Sequence, residues 1–201
     1  MITPVAHRIN SLEASLDLPK EVGIEFDVHA YKNELVVAHD AFRDGVKLSS
    51  LLEISKDRLC AINVKEEGIE EKIIELSYAI GVKSFFLFDV NFPQIYRFGE
   101  KYSQHFCLRL SQLEKPSLSE CRSLAKFLWI DTFNGEFWMN DEDIKYLKSL
   151  GYNLCFVSPE LHRPPKGDHE QFILELKNIL KYLEPMDSIC TKHIDLWRTK
   201  S

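Results

Sequence analysis

The sequence predicts an α/β fold, a compact (β/α)8 barrel of the TIM type with a small hairpin extension after its second strand. Three observations predict it: eight short apolar runs, helix-like segments between them, and no GxGxxG or GxxxxGKS/T fingerprint. Strands alternating with helices pair in parallel through crossover helices. Eight such units select a barrel, while the missing fingerprints disfavour the open sheets that bind dinucleotides or nucleoside triphosphates. The 201 residues leave about 25 per unit, near the lower limit for such barrels. The chain is therefore read as one domain, residues 1–201, with short loops.

The predicted strands are Pro4–His7, Val22–Val28, Leu59–Val64, Ser84–Val90, His105–Leu110, Phe127–Thr132, Asn153–Ser158 and Asp187–Thr191. An additional run, Glu34–His39, follows the second across a turn-like Tyr31-Lys32-Asn33 and reads as a hairpin. Glu67–Ile80 carries Ile69, Ile73, Ile74, Leu76 and Ile80 near a 3.6-residue period and stops at Gly81. Asp141–Leu150 stops at Gly151 in the same way, and Asp168–Glu184 is ended by Pro185. Phe92–Tyr102, Ser117–Leu124 and Val46–Ser55 are shorter helical candidates.

Composition narrows the function. Lys and Arg total 25 against 31 Asp and Glu, a net charge of −6, which argues against nucleic acid as a partner because phosphate backbones need a basic footprint. No run approaches the ~20 apolar residues of a membrane span, and the amino terminus lacks the pattern of a secretory signal. Cys60, Cys107, Cys121, Cys155 and Cys190 are odd in number and form no CxxC. Four lie in apolar strand-like runs, so they read as small buried hydrophobes of a cytoplasmic protein.

In a barrel the chemistry lies where strands end at the carboxyl face. Those positions collect His7, Arg8, Glu25, Asp27, His39, Asn63, Lys65, Asp89, Arg109 and Asp131. Glu25 and Asp27, spaced i, i+2 on a strand, share one face, with Ile24, Phe26 and Val28 on the other. Two carboxylates so placed need either a hard cation such as Mg²⁺ or Ca²⁺, or ion pairs with Lys65 or Arg109. Two imidazoles beside acids and cations form a set suited to phosphoryl chemistry, with proton carriers and charge stabilisation together.

His7-Arg8, Glu25-Phe26-Asp27-Val28-His29 and Glu34-Leu35-Val36-Val37-Ala38-His39-Asp40 resemble the opening of the glycerophosphodiester phosphodiesterases. These belong to the phosphatidylinositol-specific phospholipase C-like phosphodiesterases, and the chain looks like a short, divergent member. The close matching covers residues 5–65. The resemblance implies a hydrolase for a small anionic phosphodiester, glycerophosphodiester-like or carrying a glycan or lipid head group. It implies one divalent cation, Mg²⁺ or Ca²⁺, on Glu25 and Asp27, with Asn63 a weak further ligand. His7 and His39 become the acid–base pair, and Arg8 and Lys65 hold the phosphate.

Three departures stand out. Ile9 replaces a Gly, Asn63 stands where a metal carboxylate is expected, and the short chain between the second and third strands omits a substrate cover. Asn63 and Ile9 motivate an alternative, a catalytically weak or inactive barrel that binds a phosphorylated ligand or a protein partner. A sugar-phosphate isomerase or aldolase with Lys65 as a Schiff-base residue is a third reading. Asp89 and Asp131 are candidates to complete the metal site, and the Arg163–Lys166 loop is a candidate anion contact.

Overall fold

A computed structural model describes residues 2–162 and 169–197. The elements in chain order are β1 (Thr3–Ala6), α1 (Leu12–Leu16), β2 (Gly23–Tyr31), β3 (Glu34–Val37), β4 (Val46–Lys47), α2 (Leu48–Ser55), β5 (Leu59–Val64), α3 (Glu70–Ile80), β6 (Ser84–Phe88) and α4 (Phe92–Tyr102). There follow β7 (Cys107–Leu110), α5 (Leu118–Cys121), β8 (Phe127–Ile130), α6 (Asp141–Ser149), β9 (Asn153–Val157), α7 (His169–Ile179) and β10 (Ser188–Thr191). The strands form one mostly parallel sheet. Parallel ladders run β6-β5-β2-β1-β10-β9-β8-β7, and β3 and β4 add antiparallel to β2. Between β6 and β7, the two ends of the parallel run, one isolated bridge joins Leu87 to Phe106 among the described residues.

Each of the eight apolar runs becomes a parallel strand, and Glu34–Val37 forms the hairpin. Its two turn residues, Lys32 and Asn33, have φ of 47° and 67°, the double left-handed geometry that follows the twist of a two-residue hairpin. β2 is longer than its apolar run because residues 29–31 continue past the parallel ladder to pair with β3. His105 lies in a short 3₁₀ turn ahead of β7, and α1 was not anticipated. The five-residue α1 is too short to show a helical period; Ser11 caps it by accepting from the Ala14 N–H.

The remaining helices sit close to expectation. α3 ends at Gly81, whose φ of 81° lets its N–H reach the Ser77 and Tyr78 carbonyls. α6 begins with a capping box between Asn140 and Asp143. The segment Val46–Ser55 splits, because β4 takes its first two residues and α2 the rest. The predicted Asp168–Glu184 helix is α7 plus a 3₁₀ turn over Leu180–Tyr182, and Asp168 lies outside the described residues.

Alternation along the strands makes two cores. Ile24, Phe26 and Val28 pack outward with Leu48, Leu51, Leu52 and Ile73. Val5, Ala61, Phe86, Phe88, Trp129, Cys155, Val157 and Cys190 pack inside the sheet. All five cysteines are buried free thiols. Gly23 sits where β2 enters between β1 and β5, and a Cβ there would stand 2.9 Å from the Leu59 carbonyl oxygen. This close approach positions the carboxylates of β2 that follow.

Candidate active site

The carboxyl ends of the strands surround a cavity of about 160 Å³ whose lining includes His7, Arg8, Glu25, Asn63, Arg109 and His162. β2 supplies Glu25 and Asp27 on its inner face, each 2% exposed, as their spacing predicts. β5 places Asn63 beside Asp27 in register.

The backbone turns sharply after β1. Arg8 has φ 58°, and its N–H donates to Glu25 Oε2 at 2.7 Å. The next amide, Ile9, donates to the Glu25 carbonyl at 2.7 Å. The left-handed position of this turn is therefore Arg8, and Ile9 lies outside the left-handed region, so an isoleucine in place of glycine there is accommodated. The His7 ring lies with Nε2 3.7 Å from Glu25 Oε2. Its Nδ1 is buried without a hydrogen-bond partner among the described residues. Burial, with the Arg8 and Lys192 cations, lowers His7 to about 4. Burial and the Asp27 carboxylate push Glu25 up to about 8.

Asp27 is already paired. Lys65 Nζ lies 3.0 Å from its Oδ1, and Asn10 Nδ2 donates to Oδ2 at 2.8 Å. Asn10 Oδ1 in turn accepts the Asp27 amide at 3.0 Å. Asn10 was not singled out in the sequence; its only signal was its position three residues after His7, in the loop that follows a strand end.

Glu25 and Asn63 fit a hard cation. Asn63 Oδ1 is buried and unpartnered among the described residues, and among those residues the His7 ring is the one basic group within ion-pairing distance of the Glu25 carboxylate. Oxygen donors of this kind suit Mg²⁺ or Ca²⁺. Asp27 fits less well, since Lys65 and Asn10 occupy its oxygens. Asp89 and Asp131 do not extend this set, because both carboxylates engage Arg109. Among the described residues, no group of three or more His, Cys, Asp or Glu is arranged to hold a metal.

His39 stands apart. Its side chain is 44% exposed, with Nδ1 2.9 Å from Asp40 Oδ1, and it is outside the cavity lining. Buried His29 tethers its loop, with ring nitrogens facing the Ala38 and Arg43 carbonyls at 3.2 and 2.9 Å. A different imidazole, His162, lines the cavity together with His7. His162 bonds through Nε2 to Asp131, which is fully buried and also receives Arg109. His162 carries no motif; its location, two residues after Glu160 in the loop following β9, is its one signal in the sequence. The Arg163–Lys166 loop lies outside the described residues. Trp129 is both core and wall: it is 4% exposed, stacks on Phe88 at 3.9 Å and lines the cavity.

No family model matches the chain, and no curated protein sequence does. Among solved structures, the chain is similar to a glycerophosphodiester phosphodiesterase from Agrobacterium tumefaciens str. C58, with a TM-score of 0.71 and 16% identity. The match covers 98% of this chain and 99% of that one. The chain thus shares the α/β fold of a phosphodiesterase over nearly its whole length. Among the described residues, no helix is long and apolar enough to cross a membrane.

Proposed function

We propose that the protein hydrolyses a phosphodiester in the cavity at the carboxyl ends of its strands. The observation that carries this reading is the meeting of the His7 ring, the buried Glu25 and Asn63 oxygens and Arg8 in one cavity, within a fold shared with a phosphodiesterase. Arg8, exposed at the cavity edge, and Lys65, above Asp27, are placed to draw in an anionic phosphate. His7 accepts the proton of the attacking hydroxyl at Nε2, the nitrogen on the Glu25 side. Burial and the nearby cations keep its ring unprotonated at neutral pH. A second imidazole protonates the departing oxygen, a role for which the sequence resemblance nominates His39.

Glu25, Asn63 and, once released from Lys65, Asp27 are the residues that would hold one Mg²⁺ or Ca²⁺. The ion would supply charge stabilisation to the phosphoryl oxygens. The substrate is a small anionic phosphodiester, glycerophosphodiester-like or bearing a glycan or lipid head group. Five buried free thiols support a reducing, cytoplasmic setting.

The test is hydrolysis of a panel of glycerophosphodiesters with Mg²⁺ or Ca²⁺ present. Release of a phosphomonoester that His7→Ala abolishes is the expected result; folded, cation-supplied protein that cleaves no diester overturns the reading. One observation favours a second reading, a barrel that binds a phosphorylated ligand without turnover. Lys65 already compensates Asp27, and Asn63 brings no charge. Calorimetry with the divalent cations alone separates the two, since this second reading predicts no binding at millimolar metal.

A further inference from the structure

His162, Asp131, Arg109 and Asp89 form a connected set across the cavity from β2. Asp131, at the end of β8, is 0% exposed. It meets His162 Nε2 with one oxygen and Arg109 with the other, and Arg109 continues to Asp89 after β6. A carboxylate only accepts hydrogen bonds, so the His162 proton at Nε2 is fixed toward Asp131 and Nδ1 is left for other chemistry. The ring tilts against Phe133 with centroids 4.9 Å apart, which gives it a second constraint. His162 and His7 line the same cavity, whereas His39 does not.

We propose that His162, steadied by Asp131, is the second proton carrier of this cavity and delivers the proton to the leaving oxygen of a bound phosphodiester. The assignment rests on phosphodiester cleavage at this site. In the step, the attacking hydroxyl oxygen bonds to phosphorus as its proton passes to His7. The bond from phosphorus to the leaving oxygen breaks, its electron pair stays on that oxygen, and the proton on His162 Nδ1 passes to it. The Nε2 proton stays on the ring, donated in a hydrogen bond to Asp131, whose charge stabilises the imidazolium before transfer. Burial and the Arg109 cation hold His162 below the ordinary imidazole value, with Asp89 opposing them, so the protonated ring is the minority form near neutral pH but, once formed, a readier donor than a free imidazolium. Asp131 is a positioning residue here, and His162 the catalytic one.

A leaving-group comparison tests the assignment. Wild-type protein, His162→Gln and Asp131→Asn are assayed on an alkyl phosphodiester and on its 4-nitrophenyl counterpart, whose phenolate departs without a proton. His162→Gln is expected to lower kcat on the alkyl diester by about 10²- to 10⁴-fold and to leave the nitrophenyl diester within a few-fold of wild type. Asp131→Asn is expected to show the same selectivity with a smaller loss. Equal losses on both substrates, or none, in His162→Gln overturn the assignment. A selective loss in His39→Gln with none in His162→Gln overturns it too and gives the role to His39. A wild type that cleaves neither substrate overturns the phosphodiesterase reading itself, and this assignment with it.

Discussion

Lys65 Nζ sits 3.0 Å from Asp27 Oδ1, so an ammonium group occupies a carboxylate that the sequence assigned to a metal. The pair is one-sided in burial: the Asp27 side chain is 3% exposed and the Lys65 side chain 25%. Removing the partner of a buried charge costs more than the pair gains. Lys65→Met is therefore expected to lower stability by about 3 kcal/mol in chelator and to tighten Mg²⁺ or Ca²⁺ binding by freeing an Asp27 oxygen. Denaturant unfolding with and without cation checks both effects. A variant with unchanged stability and unchanged cation response contradicts the pairing.

Asn63 presents a buried, unpartnered Oδ1 beside Asp27. Asn63→Asp supplies the missing charge with little change of volume. Without cation it places a third carboxylate near Glu25 and Asp27, and melting in chelator is expected to drop by several degrees. With cation the order reverses, and calorimetry is expected to show affinity rising about tenfold or more, since charge count tunes such sites. Equal affinities in wild type and variant would place the cation elsewhere or nowhere.

The pH dependence of stability follows from two opposed groups, measured with chelator present. Glu25 moves from 4.5 up to about 8 on folding, so between those values the folded state holds the extra proton and stability falls as pH rises. His7 moves from 6.5 down to about 4, so between those values the unfolded state holds the extra proton and stability rises with pH. The two cancel between 4.5 and 6.5, leaving Glu25 alone from 6.5 to about 8. A loss of ~2 kcal/mol over that upper window is expected, and Glu25→Gln is expected to remove it. Thermal melts across the range decide; a rising stability there contradicts the burial of Glu25.

Arg8 carries the left-handed backbone of the turn after β1, a conformation in which a Cβ is unfavourable and glycine is not. Arg8→Gly is expected to stabilise the fold by about 1 kcal/mol while raising KM for an anionic diester. Denaturant midpoints and steady-state kinetics give the two readouts. A destabilised Arg8→Gly would mean that side-chain contacts of Arg8 outweigh its backbone strain.

Much of this was legible in the chain. Eight apolar runs separated by helical segments give the parallel strands, because period-two and period-3.6 burial leave different patterns. The i, i+2 spacing of Glu25 and Asp27 gives their shared inward face. Other features depend on contacts between distant segments, which one-dimensional patterns do not carry. Asn10 reaches Asp27 only after the β1 turn folds back, His39 sits exposed on the loop that His29 ties down, and His162 meets Asp131 across 31 residues of sequence. The positive φ at Arg8 in place of Ile9 belongs to the same class, because it is set by the two amides that must reach Glu25.

Arg109 joins the two strands that share the least backbone. β6 and β7 meet through the single Leu87–Phe106 bridge among the described residues, and above it the Arg109 guanidinium on β7 reaches Asp89 after β6 with one nitrogen and Asp131 after β8 with another. The side chains thus tie a seam where ladder hydrogen bonds are few. Arg109→Met leaves the fully buried Asp131 without its cation, and a loss of about 3–5 kcal/mol is expected. Arg109→Lys is expected to recover only part of it, because a single ammonium cannot fork toward two carboxylates as a planar guanidinium does. Amide hydrogen exchange adds a local readout: both variants are expected to lose protection first along β6 and β7, with Met losing more than Lys. Loss spread evenly over all eight parallel strands would show that Arg109 acts on global stability and not on the seam.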